Sequence, residues 1–255
     1  MKVVLLAGGL GTRLAEETDI IPKPMVEVGE HPILWHIMKH YSRYGMSEFV
    51  VALGYRGDVI KRFFLDRATL EGDVTISVAD GEVVLHGERE PWTVHLIETG
   101  RDTNTGGRVK RLASWINDEP FMLTYGDGVS NVDIKALLAS HRSHGRLATV
   151  TAVRPPSRFG GISFRDDGAV EFSEKPQMGE GWINGGFMVL ESRALDYIDD
   201  DSTSLEAATM ERLSAEGQLM AYPHDGFWQC VDTLRDLRYL RGLWDTDDPP
   251  WVTWK

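Results

Sequence analysis

The sequence predicts a single α/β domain with a mostly parallel, mixed central sheet flanked by helices and carrying small β insertions. Three observations lead there. Strand-length apolar runs alternate with helical stretches at the start of the chain (the run from Val3 to the glycines, Pro32–Tyr44, Glu48–Leu53, Asp58–Leu65), which predicts parallel strands joined by right-handed crossovers. The opening strands read as continuous apolar runs, as strands buried on both faces do. The 255 residues suffice for a sizeable core, and no repeat or low-complexity linker divides residues 1–255.

Composition narrows the function. Thirty-nine acidic residues against 27 basic ones give a net charge of −12, which argues against non-specific binding to nucleic acid or anionic membrane. An anionic ligand therefore needs a local basic patch. A single cysteine, Cys230, excludes an intramolecular disulfide framework and suits a reducing cytoplasm; it reads as a small buried side chain. The N-terminus runs straight into a strand-length apolar run with no signal-peptide pattern, and no stretch approaches the roughly 20 apolar residues of a membrane span. A soluble, cytoplasmic protein is expected.

Taken in order, the apolar run from Val3 feeds directly into Gly8, Gly9 and Gly11, an arrangement in which backbone N–H groups can cradle phosphate. The spacing is neither that of a Walker A loop nor that of a dinucleotide fingerprint. Arg13 and Lys23 add positive charge nearby. The helix over 32–44 begins at a proline and ends before Gly45. Val74–Ala79 and Glu82–His86 around Asp80-Gly81 read as a hairpin, and Trp92–Glu98 as a further strand, together an insertion on the main sheet. Thr99 to Gly107 is a polar, Gly-rich loop before a helix over 108–116, whose first residues Arg108, Lys110 and Arg111 oppose the helix dipole and so point to a ligand.

Phe121–Thr124 is a core strand ending in Tyr125-Gly126-Asp127-Gly128. A carboxylate there stands where open α/β sheets bind ligands, with a plain Asp-Gly turn as the competing reading. Asp133 caps a helix through His144. His141 and His144 are read as serving the dipole or solvent, since no third ligand lies nearby. Leu147–Val153 is a strand, and Ile162–Phe164 and Ala169–Ser173 form a hairpin before Glu174-Lys175-Pro176, where Pro176 holds Lys175 extended. Glycines 185 and 186 within the strand-like run 182–190 imply a close approach or a bulge. Thr203 to Glu206 reads as a capping box, Leu219–Pro223 as a final strand, 227–233 as a loop and Leu234–Trp244 as a helix. Trp251 and Trp254 in the tail, 245–255, call for packing on the body or on a neighbouring subunit.

The run Leu6-Ala7-Gly8-Gly9-Leu10-Gly11-Thr12-Arg13-Leu14 with Pro22-Lys23-Pro24-Met25 resembles the signature of the sugar-nucleotide pyrophosphorylases. Thr105-Gly106-Gly107-Arg108, Tyr125-Gly126-Asp127-Gly128-Val129, Glu174-Lys175-Pro176, Ile183-Asn184-Gly185-Gly186-Phe187, Phe227-Trp228-Gln229 and Asp232-Thr233 resemble its glucose-1-phosphate cytidylyltransferase branch. The resemblance implies a Rossmann-like nucleotidyltransferase domain, nucleotide-binding in its N-terminal part and sugar-phosphate-binding in its C-terminal part. It implies CTP and glucose 1-phosphate as substrates, CDP-glucose and pyrophosphate as products, and Mg²⁺ held by Asp127 and Asp232. The residues alone point to Asp127 and leave Asp232 open.

By the same resemblance Arg13, Lys23, Asp127 and Asp232 are catalytic. The nucleotide lies against Leu6, Ala7, Gly8, Gly9, Leu10, Gly11, Thr12, Arg13, Lys23, Thr103, Arg108 and Gly126, and the sugar phosphate against Lys175, Glu174 and Asn184. Ile21 departs from the pattern, where a lysine often stands. A homo-oligomer, trimer or hexamer, with Gly11 to Arg13 reaching a neighbour, is implied too. Competing readings are the same chemistry with dTTP, UTP or another sugar 1-phosphate, and a nucleotide-sugar sensor, against which the retained metal ligands count.

Overall fold

The computed structural model describes residues 1–9, 21–155, 161–164, 170–173 and 181–254, with backbone only at 161–164 and 170–173. The chain opens with β1 (Val3–Leu6), a single 3₁₀ turn at Lys23–Met25, and a small ribbon of β2 (Glu27–Val28) and β3 (His31–Pro32). Helix α1 (Ile33–Arg43) follows, then β4 (Glu48–Leu53), α2 (Gly57–Leu70), the hairpin β5 (Val74–Ile76) and β6 (Val83–Leu85), and β7 (Thr93–Glu98). Next come α3 (Thr105–Arg111), α4 (Ala113–Ile116), β8 (Phe121–Tyr125), β9 (Gly128–Ser130), α5 (Ile134–His144) and β10 (Ala148–Val153). Strands β11 (Gly161–Phe164) and β12 (Val170–Ser173) pair as the expected hairpin, its Asp-Gly turn lying outside the described residues. The chain continues through β13 (Ile183–Asn184), β14 (Met188–Leu190), a π-helical turn over Leu205–Met210, α6 (Glu211–Ala215), β15 (Leu219–His224), β16 (Trp228–Cys230) and α7 (Leu234–Trp244).

The central sheet runs β13-β10-β14-β8-β1-β4-β7, with β15 also on β10. Pairs β1–β4, β1–β8, β4–β7 and β10–β15 are parallel, while β14 is antiparallel to both its neighbours, so the sheet is mixed and mostly parallel as expected. Strand β1 lies in the middle with all four residues buried: Val3 and Leu5 join one core, Val4 and Leu6 the other. Burial on both faces is why its sequence shows no alternation.

Three expectations need correcting. Only the hairpin β5–β6 is an insertion; β7 forms the edge of the main sheet, in register with β4 over its whole length. The helix expected from 108 starts at Thr105, behind an Asn104 cap whose side chain accepts from Thr105 N. This moves Arg108, Lys110 and Arg111 from the first turn to the last, where cations favour the dipole. Third, the capping box at 203–206 is a plain Ser204 cap accepting from Ala207 N, and Glu206 turns elsewhere.

Glycines 185 and 186 mark a bulge. Thr149 faces Val189 and Ala152 faces Asn184, so three steps along β10 match five along its partner. Gly186 at φ +75° and Phe187 at +45° absorb the two surplus residues. His141 is buried between Thr149 Oγ1 (2.8 Å) and Glu191 Oε1 (3.3 Å), and His144 reaches the same hydroxyl, so Thr149 and Glu191 engage both rings. Asp133 caps α5 and Gly145 closes it at φ +62°. In the tail, Trp251 is 1% exposed, stacked on Phe227 and Trp244, while Trp254 meets Trp35 edge-on and His36 at a tilt. The tail therefore packs on the body of its own chain. Ile21, the departure from the family pattern, packs partly buried against the same core.

Candidate active site

The two acids meet because β16 pairs with β9, a contact that local sequence does not announce. Cys230 faces Gly128, and Val231 N donates to Asp127 O at 2.8 Å, which carries the ladder on to the acids themselves. Asp232 is held from behind by α7. Thr233 and Asp236 form a reciprocal capping box, and Asp236 Oδ2 also accepts from Asp232 N at 3.1 Å. Thr-x-x-Asp before an apolar helix is a readable signal for this cap. It begins at the last residue of 227–233, the stretch that reads as a loop.

Lys23 stands between the acids. Its Nζ donates to Asp127 Oδ2 at 2.8 Å and to Asp232 Oδ1 at 2.6 Å, with the lysine side chain 12% exposed. Burial depresses the ammonium pKa, and the two carboxylates outweigh it, leaving the pKa raised and Lys23 charged. The backbone beneath is fixed by the turn, with Met25 N on Pro22 O (2.8 Å) and buried Pro24 wedged against Gly126. Cys230 Sγ lies 3.9 Å from Asp232 Oδ2; burial, then Asp232 and Asp127, push its thiol up to about 12, so no thiolate competes there. The position offers two hard carboxylates, the donors a divalent cation such as Mg²⁺ takes. Among the described residues no group of three or more His, Cys, Asp and Glu is arranged to hold a metal ion.

Lys23 and Asp127 line a cleft of about 620 Å³ at the C-terminal ends of β1 and β8, where open α/β sheets take ligands, while Asp232 reaches it only through its bond with Lys23. Leu6, Gly8, Gly9, Lys23, Thr103, Arg108 and Asp127 of the expected site line it; Pro24, Arg101, Asp102, Tyr125 and Ser202 had not been foreseen. Gly126 donates its N–H to Leu6 O at 2.9 Å and Ala7 its own to Ala52 O at 3.1 Å, so both of these amides are engaged by the protein. Leu10, Gly11, Thr12, Arg13, Glu174 and Lys175 lie outside the described residues.

Arg108 differs most from its expected part. It is 5% exposed, and its guanidinium donates to Gly8 O (3.0 Å), Leu53 O (3.2 Å), Thr99 Oγ1 (2.8 Å), Gly100 O (2.6 Å) and Arg101 O (3.1 Å). It ties three loops together beneath the cleft. A Cβ on Gly8 would lie 2.4 Å from Arg108 Nη1, so this glycine makes room for the guanidinium. Gly9 is exposed, and a Cβ there would meet nothing within 4 Å among the described residues. Of these two glycines, Gly9 is the one left open to a ligand. Lys110 and Arg111 are likewise engaged by protein groups, the carbonyls of Leu195 and Ile198 and the Asp201 carboxylate.

Beyond the acids, Asn184 takes Gly186 N on its Oδ1 (2.9 Å) and gives Nδ2 to Tyr125 Oη (3.3 Å). Tyr125 in turn donates to Glu206 Oε1 (2.7 Å), whose Oε2 accepts from Thr105 Oγ1 (2.7 Å) and Ser204 Oγ (2.9 Å). Burial and the Glu206 carboxylate raise the Tyr125 pKa, so the phenol stays protonated as a donor.

The model of the family "Nucleotidyl transferase" matches residues 2–241. The chain belongs to that family. Nucleotidyl transferases similar to it include the glucose-1-phosphate cytidylyltransferase of Salmonella typhimurium, 50% identical over the whole of both chains. The probable glucose-1-phosphate cytidylyltransferase of Bacillus subtilis is 42% identical, again over both full lengths. Among solved structures, HddC from Yersinia pseudotuberculosis shares the fold, with a TM-score of 0.70 at 24% identity over 95% of this chain and 99% of that one. Among the described residues no helix is long and apolar enough to cross a membrane.

Proposed function

We propose that this nucleotidyl transferase converts CTP and α-D-glucose 1-phosphate to CDP-glucose and pyrophosphate. Full-length likeness to the Salmonella typhimurium enzyme carries the reading, and the Lys23, Asp127 and Asp232 cluster, with Lys23 and Asp127 lining an open cleft, agrees with it. Two polyanions must be brought together, so the barrier is chiefly one of charge and position.

A sugar phosphate oxygen attacks the α-phosphorus in line and pyrophosphate leaves. The attacking phosphate is already ionised, so no general base is required. Lys23 neutralises charge developing at the α-phosphate. The backbone at Gly9, the Gly11–Thr12 segment and Arg13 hold the β- and γ-phosphates. Lys175, with Glu174 and Asn184, holds the sugar phosphate and reduces repulsion between the reactants. Mg²⁺ at Asp127 and Asp232, when bound, orients the triphosphate and shields its charge. A homo-oligomer in which Gly11 to Arg13 serve a neighbour belongs to the same proposal; a monomeric mass by light scattering removes it.

The test is pyrophosphate release with glucose 1-phosphate and Mg²⁺, offering CTP, UTP, dTTP, ATP and GTP separately. Release with CTP alone is expected. Release only with another nucleotide overturns the base assignment, and no release with any of the five overturns the reaction with this sugar phosphate.

A further inference from the structure

Lys23 does more in this site than wait for a phosphate. We propose that it is the internal counter-ion of the acidic pair, so that a divalent cation reaches Asp127 and Asp232 only by displacing the Lys23 ammonium. Metal binding and triphosphate binding are thereby coupled. The inference rests on the reading of Asp127 and Asp232 as the metal ligands.

The geometry points there in three ways. Both carboxylates lie within 2.8 Å of one nitrogen, so that nitrogen stands where a bridging cation would have to stand. The acids are 29% and 20% exposed, and like charges held this close and partly shielded from water oppose one another unless a cation sits between them. Finally, the turn fixes the Lys23 backbone through Met25 N to Pro22 O and Val26 N to Lys23 O, while the four-carbon stem lets the ammonium move. Lys23 lines the cleft together with Gly8 and Gly9, so the ammonium has room on the nucleotide side.

The energetics then depend on what else is in the cleft. With no triphosphate there, displacement leaves a partly buried ammonium stripped of two charged partners, which is costly. A triphosphate gives the same ammonium new oxygen acceptors, and the exchange becomes nearly even. The metal alone therefore binds weakly, and metal with triphosphate binds well.

Mn²⁺ titrated without nucleotide, and followed by the electron paramagnetic resonance of the unbound ion, tests this on the full chain. Lys23→Met is expected to bind Mn²⁺ at least tenfold more tightly than wild type, and Mn²⁺ to raise its melting temperature more than that of wild type. Lys23→Arg, which keeps the charge, is expected to stay near wild type. Lys23→Gln serves as a second neutral variant should Lys23→Met not fold. Binding by the neutral variants no tighter than wild type, yet lost in Asp127→Asn, overturns the counter-ion role and leaves the metal ligands standing. Binding absent from every protein, or unaffected by Asp127→Asn, overturns the metal assignment and the counter-ion role with it.

Discussion

Replacing Arg108 by alanine separates a structural guanidinium from a nucleotide-binding one. Its five acceptors do not lose equally. Leu53 O keeps Thr99 N at 3.0 Å, Gly8 O keeps Tyr55 N at 3.2 Å and the Thr99 hydroxyl keeps its own bond to Leu53 O at 2.6 Å, so the loss concentrates at Gly100 O and Arg101 O. Hydrogen bonds to a charged group contribute about 1.5–3 kcal/mol each, and water from the cleft recovers part of that, so a net loss of about 3 kcal/mol is expected. Arg108→Lys, with three donors against five, should lose about half as much. Urea unfolding followed by tryptophan fluorescence measures both. The reasoning fails if Arg108→Ala loses under about 1 kcal/mol while CTP binding collapses, since the guanidinium would then serve the nucleotide and not the loops.

Gly9→Ala should leave stability within about 0.5 kcal/mol of wild type while raising KM for CTP about tenfold; an unchanged KM removes Gly9 from the nucleotide site. Trp251→Ala should cost about 3–5 kcal/mol by emptying the space between Phe227 and Trp244, and a loss under about 1 kcal/mol would show that the tail is not docked in solution. His36 and His40 are buried and neutral, burial lowering each to about 4. The unfolded chain takes up protons at these residues below its own value of about 6.5 and the folded chain does not until about 4, so stability is full above about 6.5 and falls as the pH drops through that window. Each histidine adds up to about 1.4 kcal/mol per pH unit to the slope, and a urea midpoint unchanged between pH 7 and 5 would contradict it.

Much of the fold is legible in the residues because its cause is local. The apolar run from Val3 and the stretch Glu48–Leu53 read as buried strands because nothing polar interrupts them; the first forms β1 over Val3–Leu6, and the second occurs with the boundaries read. Asp133 and Gly145 announce the two ends of α5, and Leu234–Trp244 stands as read. Asp127 is legible for a related reason: it follows a core strand at the sheet edge where open α/β sheets take ligands, and it lines the cleft there.

What the tertiary structure decided depends on pairing between distant segments. Asp232 joins Asp127 through the β9–β16 ladder, whose three-residue strands are too short to carry a pattern of their own. Arg108 reads as a phosphate ligand beside a glycine loop, and becomes a loop tie because carbonyls of three segments converge on it. Glu206 reads as a cap and instead receives Tyr125 and Thr105 from two other elements. In each case the charge is visible in the sequence, while its partner is chosen by which backbones the sheet brings together.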